Sequence, residues 1–155
     1  MLKDQKELLS VFNAHNVEYL VVGGHAAIAY GVARLTKDLD IWIRASEGNS
    51  VKVFRALAEF GAPLQGMSAA DFSGDDNSVL QLGMAPNRID ILQSVSGLNF
   101  DQAWANRVDF PIDELTTAHY LSLDDLVHNK QLVSRLRDIA DVDELRRMHT
   151  MRKPS

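Results

Sequence analysis

Cysteine is absent from the 155 residues, which removes disulfides and thiolate metal sites from consideration. The five histidines show no HExxH-type ligand spacing, so they do not point to a zinc centre. No apolar run approaches the ~20 residues of a membrane-spanning helix. The opening MLKDQKELL lacks the layout of a secretory signal. Together these absences set the expectation of a cytoplasmic protein with no membrane partner. Internal repeats and linkers are also missing, and with 46% hydrophobic and 24% charged residues the chain reads as one globular domain, residues 1–155.

Charge is unevenly spread. Residues 130–155 carry seven Lys/Arg against four Asp/Glu, whereas residues 1–129 carry nine against seventeen. An acidic bulk argues against general coating of DNA, while a basic C-terminal stretch suits either a phosphate-rich ligand or an ordinary solvated helix end.

Periodicity predicts alternating elements. Residues 3–15 have helical spacing, residues 17–22 read as a strand, and a short helix runs from His25 to about Val32 after Gly24. Leu39, Ile41 and Ile43 alternate with Asp38, Asp40 and Trp42 in a second strand. A helix spans 51–60 and stops at Gly61, followed by an irregular stretch from 61 to 78 of the length that marks a functional or mobile loop. Residues 79–84 and 88–93 form a hairpin around Ala85, Pro86 and Asn87; residues 101–106 make a helical turn and 107–112 a final strand. Two helices close the chain, 123–136 and 139–148, with the region 123–150 packed on the rest. The fold class is α/β (α+β): a small mixed sheet flanked by helices.

Two short stretches carry chemistry. A strand entering Gly23-Gly24 and then a helix gathers free N–H groups at the positive end of the helix dipole, where phosphate binds. The same turn also occurs as plain architecture, and GxGxxG is absent. Asp38 and Asp40, two apart on a strand, converge on one face. Carboxylates so placed repel unless a cation lies between them, and hard oxygen ligands suit Mg²⁺ shared with substrate phosphates. The bland alternative is a wet edge strand. In NRIDIL, Asp90 also faces away from an apolar layer, with Arg88, and could complete a two-metal set.

The string G-G-H-A…G-V-x-R-x-T-x-D-L-D-I, from Gly23 to Ile41, with Asp90 on a later strand, resembles the nucleotidyltransferase fold of the DNA polymerase β superfamily. It is similar to small bacterial members: relatives of the AbiEii-type toxins and the aminoglycoside and lincosamide nucleotidyltransferases. The resemblance implies a nucleoside triphosphate such as ATP as substrate and Mg²⁺ or Mn²⁺ on Asp38, Asp40 and Asp90. It places Gly23 and Gly24 at the triphosphate and makes Asp90 a base. The acceptor it implies is RNA, a protein or a small molecule, and its toxin-like branch implies a cognate antitoxin or a homodimer. A catalytically weak nucleotide-binding regulator of the same fold stays open beside the enzyme. Many members have Gly-Ser where this chain has Gly23-Gly24, which removes one hydroxyl contact but no backbone donor.

Lys130 falls in the middle of the apolar stripe of Leu123, Leu126, Val127 and Val133, so it must snorkel, pair or reach into a cleft. The segment from Arg135 to Asp141 is similar to the R-x-K/R-D-x-x-D run that follows such a lysine in the AbiEii-like group. That match implies a Lys130 contact to nucleotide phosphates with Asp138 or Asp141 near it. A buried ion pair with one of those aspartates, and capping of the last helix by them, are the structural alternatives. Arg34 and Thr36 precede the second strand within reach of the site, and Arg34 suits a triphosphate or, equally, a surface loop. His25 reads as structural, and Tyr30, Trp42 and Trp104 as core or pocket wall.

Overall fold

In the computed structural model, residues 1–74, 78–84 and 87–152 are described, 151 and 152 by backbone alone. The chain runs through α1 (Lys3–Ala14), β1 (Tyr19–Val22), α2 (Gly23–Ala29), β2 (Leu39–Ile43) and α3 (Glu47–Phe60). It continues through β3 (Val79–Leu82), β4 (Ile89–Leu92), α4 (Phe100–Ala105), β5 (Val108–Pro111), β6 (Thr117–Tyr120), α5 (Leu123–Val133) and α6 (Leu136–Arg152).

Caps set the helix starts. Ser46 accepts the Asn49 N–H at 3.2 Å ahead of α3, and Ser122 accepts that of Asp125 at 3.2 Å ahead of α5. Because Ser46 is the cap, α3 begins at Glu47, four residues earlier than hydrophobic spacing predicts. Its first turn is polar and only half buried: Glu47 and Gly48 are exposed, whereas Asn49 is buried and bonds the backbone of Glu18 and Arg44. Gly61, with φ +94°, ends the helix where expected.

The strands form one mixed sheet in the order β3-β4-β2-β1-β6-β5. β1 pairs antiparallel with β2 and parallel with β6; β2 pairs parallel with β4; β3–β4 and β5–β6 are antiparallel. All four residues of β1 are buried, so helices cover both faces at the sheet centre. Leu8, Leu9 and Phe12 of α1 and Val53, Ala56 and Leu57 of α3 supply one part of the core.

Several expectations need correction. The strand at 108–111 is not the last: β6 follows it and is inserted between β1 and β5. Its sequence, Thr-Ala-His-Tyr, is short and half polar, but Ala118 and Tyr120 are buried by the pleat. The stretch 61–78 contains a 3₁₀ turn, Ala69–Phe72, that buries Phe72 against the core; residues 75–77 lie outside the described residues. The β3–β4 hairpin forms as expected, with its turn residues Ala85 and Pro86 also outside them. α5 ends at Val133 because Ser134 turns into the left-handed region, and α6 starts at Leu136, three residues earlier than predicted.

Candidate active site

Alternation along two strands decides which side chains meet. Leu39 and Ile41 of β2 and Ile89 and Ile91 of β4 are buried on one face, so Asp40 and Asp90 stand on the other. The parallel pairing sets Asp40 opposite Asp90, and Asp38 is two residues before Asp40. The antiparallel β1–β2 register sets Val22 opposite Asp40, which delivers Gly23 to the carboxylates. A Cβ at Gly23 would lie 2.5 Å from Oδ2 of Asp40, and its φ of +68° independently favours glycine. A Cβ at Gly24 would lie 2.9 Å from an Arg34 guanidinium nitrogen and 3.0 Å from Thr36 Oγ1. Both glycines therefore have a steric reason internal to the chain.

Electrostatics distinguish the three aspartates. Burial, and then the nearby Asp90 and Asp38 charges, push the Asp40 carboxyl up to about 6, against a smaller opposing effect of Arg88. Arg88 bridges the other two. Its Nε and a terminal nitrogen donate to Asp90 at 2.8 and 3.2 Å, and its backbone N–H donates to Asp38 at 2.9 Å. The Arg88 guanidinium also approaches Asp38 Oδ2 at 4.0 Å. Among the described residues no three His, Cys, Asp or Glu side chains already stand as a metal cage, consistent with Asp38 and Asp90 being turned onto this arginine.

A polar cleft of about 280 Å³ opens over this face. The three aspartates, both glycines, Arg34, Thr36 and Lys130 line it, so the fold brings together every expected site residue except Asp141. Asp141 lies just behind, bonded to Lys130 at 2.8 Å and to Arg34 at 3.2 Å. Asp138 accepts from Lys130 at 3.4 Å, from Arg135 Nε at 2.7 Å and from the Arg135 backbone N–H at 3.2 Å. It is thus both an ion-pair partner and a cap, whereas Asp141 is no cap. Burial works to raise the Asp138 carboxyl, but Arg135 and Lys130 hold it below its ordinary value.

Three arginines were given no role at the site by the sequence. Arg88, Arg135 and Arg137 also line the cleft. Arg88 is i, i+2 to Asp90 and so shares its face, a signal legible in NRID. His25 is buried, its Nε2 has no hydrogen-bond partner, and burial lowers its pKa to about 4, so the ring is neutral. Trp42 is buried, Tyr30 and Trp104 are half-buried, and none of the three lines the cleft. A larger cleft of about 390 Å³ between α5 and α6 shares no residue with the polar one and gathers no comparable set of charges.

A mixed sheet whose adjacent strands present aspartates beside a strand–Gly-Gly–helix turn is the layout of a nucleotidyltransferase. The model of a family described as nucleotidyltransferase of unknown function (DUF6036) matches residues 1–150. The chain belongs to that family. Its fold is similar to the crystal structure of a candidate nucleotidyltransferase from Thermotoga maritima, with a TM-score of 0.54 and 14% identity over 97% of this chain and 96% of that one. No curated protein matches the chain. Among the described residues no helix is long and apolar enough to cross a membrane.

Proposed function

We propose that this nucleotidyltransferase-family chain moves a nucleoside monophosphate from an NTP, such as ATP, to an acceptor hydroxyl. The observation that carries the reading is the β2–β4 register, which sets Asp40 against Asp90 beside Gly23. Three carboxylates on one face are a hard-oxygen donor set, and the lack of a Cβ at Gly23 lets the Asp40 carboxylate sit against the turn. Asp38, Asp40 and Asp90 fit Mg²⁺ or Mn²⁺ as ligands. When bound, such an ion neutralises and polarises the phosphate oxygens.

The chain's own groups do the rest. Gly23 and Gly24 line the cleft that would take the triphosphate, with Arg34 and Thr36 packed against Gly24. Asp90 accepts the acceptor hydroxyl's proton on a carboxylate oxygen. The freed oxygen forms the new bond to the α-phosphorus, and the bond to the pyrophosphate breaks.

The Arg88 bridge supports a second reading. One guanidinium already pairs with Asp90 and approaches Asp38, which would suit a catalytically weak nucleotide-binding regulator or antitoxin-type partner. The finer resemblance to AbiEii-type toxins, with RNA or protein as acceptor and a cognate antitoxin or second copy as partner, belongs to the enzyme reading. So does a small-molecule acceptor, as in the aminoglycoside and lincosamide enzymes. Incubation with α-labelled NTPs, Mg²⁺ and extract separates the two readings. Label on RNA, protein or a small molecule supports the transferase, and nucleotide binding without transfer from any NTP supports the regulator.

A further inference from the structure

The cleft has a second wall that the aspartate chemistry does not use. Lys130, in the last turn of α5, is 3% exposed, and its Nζ donates to Asp141 Oδ2 at 2.8 Å and Asp138 Oδ1 at 3.4 Å. Those aspartates are three apart on α6 and therefore share a face; they are 1% and 3% exposed. Each also holds an arginine that lines the cleft. Asp141 takes a terminal nitrogen of Arg34 at 3.2 Å, and Asp138 takes Nε of Arg135 at 2.7 Å. One lysine thus sits behind two aspartates, and each aspartate sits behind one arginine.

The arginines are not fully spent. Arg34 lies against Gly24, and its Nε is buried with no hydrogen-bond partner. The side chain as a whole is 26% exposed at the cleft, so the terminal N–H groups not spent on Asp141 can meet an acceptor that arrives with a ligand. Arg135 is about half exposed and, among the described residues, forms an ion pair only with Asp138. Lys130, by contrast, commits its ammonium to two carboxylates and exposes almost none of its side chain, although the lysine borders the cleft. Across the five groups three cations face two anions, and the surplus positive charge lies where a polyphosphate would bind.

We propose that Lys130 is a positioning residue that touches no phosphate. It fixes Asp138 and Asp141 so that Arg34 and Arg135 present their remaining N–H groups as a two-pronged clamp for a phosphoanhydride. This rests on the reading of the cleft as an NTP site and alters the roles within it: the arginines bind, and the buried lysine and aspartates aim them.

The test is a coupling measurement. ATP and inorganic pyrophosphate, each with Mg²⁺, are titrated calorimetrically into the full chain and its variants. Arg34→Gln and Arg135→Gln should each weaken both ligands about tenfold, the loss of one charge-assisted contact. Lys130→Met should weaken them by a similar factor in the wild-type background. It should add less than about twofold where both arginines are already glutamine, because its effect passes through them. Equal weakening in both backgrounds would mean that Lys130 contacts phosphate itself and would overturn the proposal. If Lys130→Met fails to fold, Asp141→Asn serves instead: it should match Arg34→Gln in effect, and the double variant should be no weaker than Arg34→Gln alone. Additive losses there also overturn the proposal. A folded wild type that binds neither ligand removes the NTP reading and the clamp together, whereas binding with additive losses removes the clamp alone.

Discussion

The two walls of the cleft solve opposite electrostatic problems. On the sheet side, Asp38, Asp40 and Asp90 are gathered with one bridging guanidinium, and Asp40 is driven toward its protonated form. On the helix side, Lys130, Asp138, Asp141, Arg34 and Arg135 alternate in sign, and each aspartate pairs with Lys130 and one arginine. The first wall gains when a cation arrives, while the second is complete without one and has donors to spare. Under the proposed function, the ligand that would bring both a cation and acceptors to such a cleft is a metal-bound polyphosphate.

Breaking the helix wall should have the largest effect. Lys130→Met leaves Asp138 and Asp141 each with a single arginine, and stability should fall by about 3 kcal/mol, read from urea unfolding. An unchanged midpoint would show that the two arginines alone suffice. Gly23→Ala comes next. A Cβ at φ +68° and 2.5 Å from the Asp40 carboxylate should destabilise the fold by about 2 kcal/mol.

The sheet wall should respond with the opposite sign. The folded Asp40 carboxyl is raised to about 6 from an unfolded 3.8. Its charge therefore destabilises the metal-free fold progressively as pH rises from about 4 through 6, and not at all below that window. Asp40→Asn should accordingly stabilise the metal-free protein by about 2–3 kcal/mol at pH 7 and by nothing near pH 3.5. Unfolding curves at the two pH values check both sign and window. The smallest effect falls on Arg88, which works to lower the Asp40 value. Arg88→Met should move the Asp40 titration, followed by NMR of its carboxyl carbon, above about 6.

How much of this was legible depended on what each residue needed to know. Asp38, Asp40 and Asp90 stood out because strand alternation is local: buried neighbours on one face dictate an aspartate on the other. Lys130 stood out because one helical stripe is enough to show a charge where apolar residues belong. Its partners were narrowed to two aspartates but not decided, since that depends on how α6 lies against α5. Arg135 and Arg137 were seen as part of a matched run but not as cleft residues, because their place there follows from that same packing. β6 was missed because four half-polar residues show alternation only once the flanking strands bury Ala118 and Tyr120. The start of α3 was hidden by a polar turn whose buried Asn49 is satisfied by hydrogen bonds, which hydrophobic spacing cannot register.

The most direct test of the central claim is the melting temperature of the wild type, Asp40→Asn and Asp90→Asn with and without millimolar Mg²⁺ and ATP. A ligand that binds only the native state must raise it. The aspartate face predicts a clear rise for the wild type, seen with Mg²⁺ and ATP together, and none for either variant, although both fold. A folded wild type that does not shift, or an Asp90→Asn variant that shifts as fully as the wild type, would contradict the three-aspartate site.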